Sequence, residues 1–526
     1  MASASGSEVQ RVVIIGGGIG GLATTLALHA PTDHGSQEPS HAYDILIVER
    51  DALPPDIAPE AAFETWDRPG VPQFRHAHIL LARIQTTLRD QHPALLRQLL
   101  DAGLYLSTVA EILPPDQYRG IQPEPGDQDL LHLWGRRATF EYVLRRYVGQ
   151  LPGVRFMHGA RVVGLVTEGN DSELVLRGVE VLTGDADASK RDVLDADLVV
   201  DASGSRSKTP EWLEALGVSV QIERHASGFI YACRHYRLAN PEAAPPREEG
   251  GGNLDYLGYA TFYAEHGHYA LTFSCPEDEE ELTELLKRPE GFEALCAQLP
   301  VLQQWTSQSV PTTKVLGAGR FENRWRSFGA PAKRKLLGLF AVGDSHLLTN
   351  PMYGRGCASA FVQAGVLAEA LRAARDPAER TQRYYSRSRE LLQPYFELSI
   401  ATDRMYRTRA KRQRGIEPTA PEKLLDYAYE KVWMPATHHY PLMAREFLRS
   451  VQMREISSLG VRLLALWLLC AAWLQSAFRT LYTPPVPPPR AEFLRRIHAR
   501  SPGSEARRAS AAPAHLVANT GPSDTE

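Results

Sequence analysis

Val12-Val13-Ile14-Ile15 is an unbroken apolar run, the pattern of a parallel strand buried on both faces. Gly21 to Ala30 carries good helix formers, and after a polar stretch from Pro31 to His41 a second apolar strand, Tyr43 to Val48, ends in Glu49-Arg50. This is a β-α-β unit with an enlarged return loop. Arg137 to Gln150 predicts a helix, and Val154 to Phe156, Ala160 to Val166, Leu174 to Val181 and Asp197 to Asp201 predict strands. From Ser219 to Leu238 and from Tyr256 to Ser274 the pattern turns β-branched and aromatic with alternation, which suits antiparallel sheet. Pro241 to Asn253 is the loop between them, and Glu279 to Leu299 returns to helix. The chain re-enters the first domain near Leu336, so the sheet domain is an insertion. A long helix is expected from Gly356 to about Arg375, with further helices from Ala378 to Glu430. No internal repeat is visible.

The predicted organisation is a disordered 1–10, an α/β cofactor domain in two parts (11–215 and 331–376), and an antiparallel-sheet domain at 216–330. A helical region at 377–482 follows, with an apolar helix at 460–479, and then 483–526 as a Pro-rich linker and disordered tail.

With 526 residues, 43% hydrophobic and 23% charged, the chain has room for a sizeable core. A formal charge of -4 gives no reason to expect a nucleic acid partner. Cys233, Cys275, Cys296, Cys357 and Cys470 are scattered without a CxxC pair, which argues against a disulfide framework or a metal site and suits a reducing cytosol. Met1 to Gln10 lacks the basic-then-apolar order of a signal peptide. The expected location is cytoplasmic, with membrane association as the open alternative.

Two glycine-rich strand-to-helix turns carry the candidate chemistry. In Gly16-Gly17-Gly18-Ile19-Gly20-Gly21, the first glycine of the G-x-G-x-x-G pattern permits the tight turn and the second lets backbone approach a pyrophosphate. The third, Gly21, lets helix and strand pack closely. Glu49 ends the next strand, where a carboxylate would bind ribose hydroxyls and disfavour a 2′-phosphate. The second turn reads Val342-Gly343-Asp344, then Asn350-Pro351-Met352-Tyr353-Gly354-Arg355-Gly356. A carboxylate there can accept hydrogen bonds from a polyol such as ribitol. Gly354 and Gly356 allow unusual backbone angles before a new helix, whose amides would face a flavin edge and stabilise negative charge on it. The pair of turns points to FAD.

These residues resemble the FAD-dependent monooxygenases of the aromatic-hydroxylase fold, especially the branch related to squalene and polyether epoxidases. The likeness rests on Gly16, Gly18, Gly21 and Glu49, on Arg136-Arg137, on Val199-Val200-Asp201-Ala202-Ser203-Gly204, and on Gly343-Asp344 with the Asn350 to Gly356 segment. Arg75-His76-Ala77-His78 and Asn323-Arg324-Trp325-Arg326 also look like segments of bacterial members, so the match runs from about Arg11 to Asp403. It implies a Rossmann-like FAD-binding domain with an inserted substrate sheet, Asp344 on the ribityl chain, and Arg137 near the ribityl or pyrophosphate. Asp201 to Gly204 would close the site. Gly20, Arg50, Asn350 and Pro351 complete the expected cofactor contacts. The Asp201 segment reads DASGSRS instead of the DGxxSxxR of aromatic hydroxylases, so neither a phenolic substrate nor their NADPH contacts are carried over to this chain. Cys357 stands where relatives often carry another small or apolar residue, and a packing role is expected for it.

In such enzymes the flavin, reduced by NAD(P)H, carries out the O2 chemistry, and the protein supplies orientation and a dry site. That accounts for the lack of an acid/base pair in the sequence. Arg75, His76, His78 and Tyr353 are the candidate catalytic groups, each with a structural reading beside the chemical one, and Arg355 is a candidate for the flavin edge. The expected substrate is a hydrophobic polyene, terpenoid or polyketide-like molecule, epoxidised or hydroxylated with O2 and NAD(P)H, the latter used directly or through a separate flavin reductase. A flavin-dependent reductase of prenyl double bonds is the runner-up. A flavin-dependent halogenase ranks third, for want of a WxWxIP sequence and a well-placed lysine.

Leu463 to Leu474 is the most hydrophobic stretch, with Arg462 and Arg479 on either side. Its uncharged core falls short of the ~20 residues of a spanning helix. Two readings remain open: a buried helix closing the substrate pocket, or peripheral membrane contact through 460–479.

Overall fold

Ile14 and Val13 are almost fully buried because strand β1 (Gln10–Ile15) has a parallel neighbour on each edge and helices on its faces. In the computed structural model, residues 9–31, 43–113, 122–184, 190–247, 250–328, 334–454, 459–476 and 487–500 are described. The predicted polar insertion falls almost wholly outside them, as do residues 1–8 of the expected N-terminal tail. The central sheet joins β1, β2 (Tyr43–Glu49), β3 (Val154–His158), β4 (Leu198–Asp201) and β5 (Leu339–Ala341) in the order β5-β4-β1-β2-β3, all parallel. Register decides the functional geometry. Ile15 pairs with both Val48 and Asp201, and Asp201 pairs with Ala341. The turns after β1, β4 and β5 therefore leave the sheet side by side at its carboxyl edge, where ligands of open α/β sheets bind.

Helix α1 (Ile19–Leu28) follows the first turn, α2 (Arg137–Val148) precedes β3, and α3 (Arg355–Ala373) follows the last turn and packs along α1. The inserted sheet pairs Phe229–Leu238 with His268–Pro276 and the latter with Gly258–Tyr263, all antiparallel. Its core of Tyr236, Tyr269, Phe273, Phe292 and Trp305 is separate from that of the parallel sheet, and Ile79 packs against both. The sequence expectation of an α/β chain with an antiparallel insertion and a helical C-terminal region holds.

Three local expectations change. Glu279 to Leu299 is not one helix but two, Glu280–Leu286 and Pro289–Cys296, and a third, Pro300–Thr306, follows it, because Pro289 and Pro300 lack an amide hydrogen and each starts a new helix in place of continuing the old one. Beyond residue 483, where linker and tail were expected, α6 (Arg490–Arg500) docks Phe493, Leu494 and Ile497 into the inserted-sheet core. That spacing is an amphipathic stripe. The remainder of the expected tail, 501–526, lies outside the described residues. The long α4 (Pro377–Gln413) is capped by Asp376, whose side chain accepts from Glu379.

The apolar helix α5 (Leu459–Ser476) is not buried. Leu468 and Ala472 pack on Ala436 and Met443, while Leu463, Leu466 and Trp467 on the other side are each more than half exposed. Among the described residues only the chain from Tyr429 to Val451 covers α5, and on one side, so they do not bury it as a helix closed over the substrate pocket. No helix among the described residues is long and apolar enough to cross a membrane.

Candidate functional site

The three aligned turns are tied together by main chain: Gly16 N donates to Val48 O, Ala202 N to Ile15 O and Val342 N to Asp201 O, at 2.9, 3.0 and 2.9 Å. Gly16 has φ +102°, and a Cβ there would lie 2.6 Å from the Ala202 carbonyl oxygen. A Cβ on Gly21 would lie 2.1 Å from the Gly16 carbonyl oxygen, so this glycine lets α1 leave the strand so closely. Gly20 faces Val342 at ordinary contact distance. Gly18 is different, since a Cβ there would meet no protein atom within 4 Å. No side chain caps α1 and its first turn holds no carboxylate, so its positive end opens onto this space.

Beneath the first turn lies a buried network of three guanidinium and three carboxylate groups. Glu49 Oε2 accepts from Gly17 N at 3.1 Å, Arg68 Nη2 at 2.7 Å and Arg145 Nη2 at 3.1 Å, while Oε1 accepts from Asp51 N at 3.0 Å. Arg68 also binds Asp51 and Glu141, and Arg137 Nε donates to Glu141 Oε2 at 3.2 Å. Burial lowers the pKa of Arg145, with Arg68 adding to the effect. Burial acts the same way on Arg68, but Glu141, Glu49 and Asp51 more than reverse it. Removing one member of such a set strands a buried charge, a cost of about 3–5 kcal/mol. Arg50, expected at the cofactor, instead donates to Gly70 O at 2.7 Å.

The two strand-end carboxylates of the later turns differ sharply. Asp201 is fully buried. Its Oδ1 accepts from Ser203 N and Oγ at 3.0 and 2.6 Å, and its Oδ2 from Ser207 Oγ at 2.5 Å. It shapes the loop that carries Gly204, at φ +84°. Arg324 and Arg326 clamp the same loop from the neighbouring strand, both donating to Ser205 O, at 2.6 and 3.3 Å. Asp344, half-buried, accepts no hydrogen bond from any described residue. Burial raises its pKa against the lowering fields of Arg137, Arg324 and Arg326. Gly343, at φ +71°, donates its amide to Gln363 Oε1 at 2.5 Å. A Cβ on Gly356 would meet only Asp344 Oδ1, at 3.6 Å.

The loop before α3 is held from behind. Asn350, fully buried, takes Met352 N on its Oδ1 at 3.1 Å and gives its Nδ2 hydrogen to Asp403 at 2.6 Å. Asn323 Nδ2 and Tyr353 OH also donate to Asp403, at 2.7 and 2.6 Å. Pro351 opens the short helical turn that follows, and Gly354 has φ +65° with the Ile79 side chain 2.3 Å from where a Cβ would stand. Arg355 donates to Ser399 Oγ at 2.7 Å. Asn350, Tyr353 and Arg355 thus turn toward α4 and position the loop. Cys357, its thiol pushed up to about 11 by burial, sits just inside α3.

Of the Arg75 to His78 segment, His78 reaches the site. Its Nε2 accepts from Arg137 Nη1 at 3.0 Å while Nδ1 faces His76 O at 2.8 Å, so the ring is neutral with its proton on Nδ1. Burial and Arg137 hold its pKa well below the usual histidine value. His76 lies 3.6 Å from the buried Cys233 thiol, beside Tyr231. Arg75 points away, pairing with Asp67 at 2.8 Å in an open cleft of about 640 Å³ lined by Phe63, Glu64, Arg237 and His268.

The site therefore brings together Gly16 to Gly21, Glu49, Arg137, His78, Gly204, Asp344 and the 354–356 turn, and leaves Arg50 and Arg75 outside. Arg68, Arg145 and Asp403 are additions that the sequence reading did not single out. Asp403 left a trace in the pattern. Leu392, Phe396, Ser399 and Asp403 follow helical spacing on the buried face of α4, and a carboxylate on such a stripe needs a polar partner.

No protein-family profile matches the chain. Among curated proteins it is similar to Protein Rv3254 of Mycobacterium tuberculosis, 27% identical over 399 residues that span 71% of this chain and 75% of the relative. Among solved structures it is similar to the flavin-dependent brominase Bmp2 (TM-score 0.55, 15% identity, 89% of this chain and 100% of that one). It is also similar to PqsL, a probable FAD-dependent monooxygenase of Pseudomonas aeruginosa (TM-score 0.55, 17% identity, 78% and 99%). The flavin-dependent halogenase CmlS matches at TM-score 0.55 and 15% identity over 89% and 78%. At such identities the likeness establishes the fold, that of FAD-dependent monooxygenases and halogenases.

Proposed function

We propose that the protein is an FAD-dependent monooxygenase that epoxidises or hydroxylates a hydrophobic small molecule, of polyene, terpenoid or polyketide-like character, with NAD(P)H and O2. The observation that carries the reading is Asp344, a carboxylate that accepts no hydrogen bond from a described residue, at the carboxyl edge of the sheet, between the uncapped α1 and the glycines that start α3. A polyol ligand satisfies it, and the open space at Gly18 and Gly356 admits one.

The residues fit FAD. The first amides of α1 beside Gly18 would take the pyrophosphate. Glu49 Oε1, with a single protein donor at 3.0 Å, keeps a lone pair for a ribose hydroxyl. Asp344 would hold the ribityl hydroxyls, and the amino end of α3 would face the pyrimidine edge and stabilise negative charge there. Bound FAD supplies electron transfer from NAD(P)H and transfer of one oxygen atom of O2 to the substrate. The protein's part is orientation. Neutral His78 accepts from Arg137 and holds that guanidinium toward the Asp344 side, and Ile79 beside it packs against both cores.

Halogenation is the second reading, favoured by the halogenases among the structural neighbours. Against it, every described lysine is exposed, so none is set inside the site to carry an oxidised halogen. Reduction of prenyl double bonds uses the same cofactor fit without oxygen.

One product assay separates the three. The purified protein is incubated with candidate polyenes, NADH or NADPH, bromide and ¹⁸O2, and products are weighed by mass spectrometry. Incorporation of one ¹⁸O supports the proposal, a brominated product supports the second reading, and addition of two hydrogens supports the reductase. Asp344→Ala should release FAD from the purified protein while far-UV circular dichroism stays unchanged. Wild-type FAD content in that variant would sink the cofactor assignment. NAD(P)H consumption by the isolated protein decides whether a separate flavin reductase is needed.

A further inference from the structure

Helix α5 turns an apolar face outward. At 3.6 residues per turn, Leu463, Leu466, Trp467, Cys470, Trp473 and Leu474 share one side of the helix, and the first three are 60%, 58% and 64% exposed. Leu468 and Ala472 on the opposite side anchor the helix to the body of the protein. The face continues onto the helix Ala420–Ala428, where Leu424 and Tyr427 are exposed and Trp473 Nε1 donates to the Tyr427 hydroxyl at 3.3 Å. Single exposed apolar residues are ordinary; a contiguous patch of leucine and tryptophan marks a docking surface.

We infer that this face binds the surface of a phospholipid bilayer, with α5 lying in the interface. Three observations select that occupant. First, the stretch from Leu463 to Leu474 is about 18 Å long at 1.5 Å per residue, well short of a span, which needs ~20 apolar residues. Second, Trp467 and Trp473 both lie on the outward face, 64% and 49% exposed, and tryptophan concentrates at headgroup depth. An interfacial helix needs only one apolar face sunk a few ångström into the headgroup boundary. Third, the charge at the rim suits lipid. Arg462 is the only charged residue of α5, and exposed Lys431 lies four residues beyond Tyr427 on the same helical face. Phosphate headgroups complement both, and the Trp473–Tyr427 pair is of the kind that concentrates at headgroup depth.

The surface is separate from the cofactor turns, so the inference stands or falls independently of the enzymatic reading. The full chain is mixed with vesicles of equal parts phosphatidylcholine and phosphatidylglycerol and floated on a density gradient. The protein is expected in the vesicle fraction, and the double variant Leu463→Glu with Trp467→Glu, which alters only outward positions, is expected to float about tenfold less at unchanged melting temperature. Cys470, the exposed cysteine among the five described, takes an environment-sensitive thiol dye whose emission should shift to the blue when vesicles are added. Protein that stays in the soluble fraction, or a double variant that floats as well as the parent, overturns the inference. A dimer in sedimentation velocity that the double variant abolishes, without flotation, would replace the bilayer by a second copy.

Discussion

Asp403 accepts the Nδ2 hydrogen of Asn350 at 2.6 Å, so a helix remote in sequence from the glycine turns fixes the loop that starts α3. Asn323 and Tyr353 donate to the same carboxylate, and the loop that must hold unusual angles at Gly354 is over-determined from behind.

Asp403→Ala leaves three buried donors without an acceptor. At about 1 kcal/mol or more for each unsatisfied group, the variant should lose about 3 kcal/mol in urea unfolding and retain less FAD. Asp403→Asn, which keeps the shape and one acceptor oxygen, should lose less. A midpoint equal to the parent's for Asp403→Ala would show that the network contributes nothing.

Gly18 and Gly354 should respond oppositely to alanine. At Gly354 a Cβ meets Ile79 at φ +65°, so Gly354→Ala should destabilise by about 2 kcal/mol or more. Gly18 has φ -80° and open space, so Gly18→Ala should leave stability within about 0.5 kcal/mol. If FAD occupies that space, Gly18→Ala should nevertheless weaken FAD binding about tenfold, read by isothermal titration calorimetry. Unchanged FAD affinity would remove Gly18 from the cofactor site.

Stability should fall in mild acid. Burial holds His132, His235 and His346 down to about 3 and His92 down to about 4. Below the ordinary histidine value of about 6.5 the unfolded chain binds protons that the folded chain refuses, so stability is lost as pH falls from there toward 4. At pH 5 each such histidine costs about 2 kcal/mol. Urea midpoints from pH 7 to pH 5 check this, and a flat profile above pH 5 would contradict neutral buried histidines.

The first glycine turn was legible because its requirement is local. Gly16 and Gly21 face steric limits set within a few residues and by an adjacent strand, and such limits leave one residue type. The aromatic alternation from Phe229 to Pro276 was legible for a similar reason, since a pleated strand repeats every two residues. Helix α6 was hidden by the polyproline stretch before it, and its stripe has meaning only against the inserted-sheet core. The break of Glu279 to Leu299 was readable from Pro289, and the start of the next helix from Pro300.

Along the chain alone, two glycine turns that lead into helices after buried strands, Asp344 at one of them, and an antiparallel sheet inserted between are already legible. These follow from period, apolar runs and backbone freedom, which act over neighbouring residues. Which carboxylates are left for a ligand depends on the folded arrangement. Asp201 is consumed by its own loop, Glu49 shares its charge with Arg68 and Arg145, and Asp344 alone of the three accepts no hydrogen bond from a described residue. The exposure of the leucines and tryptophans of α5 depends on that arrangement likewise. Partnership and exposure are set by residues far apart in the chain, whose meeting depends on the register of the parallel strands and the packing of helices upon them.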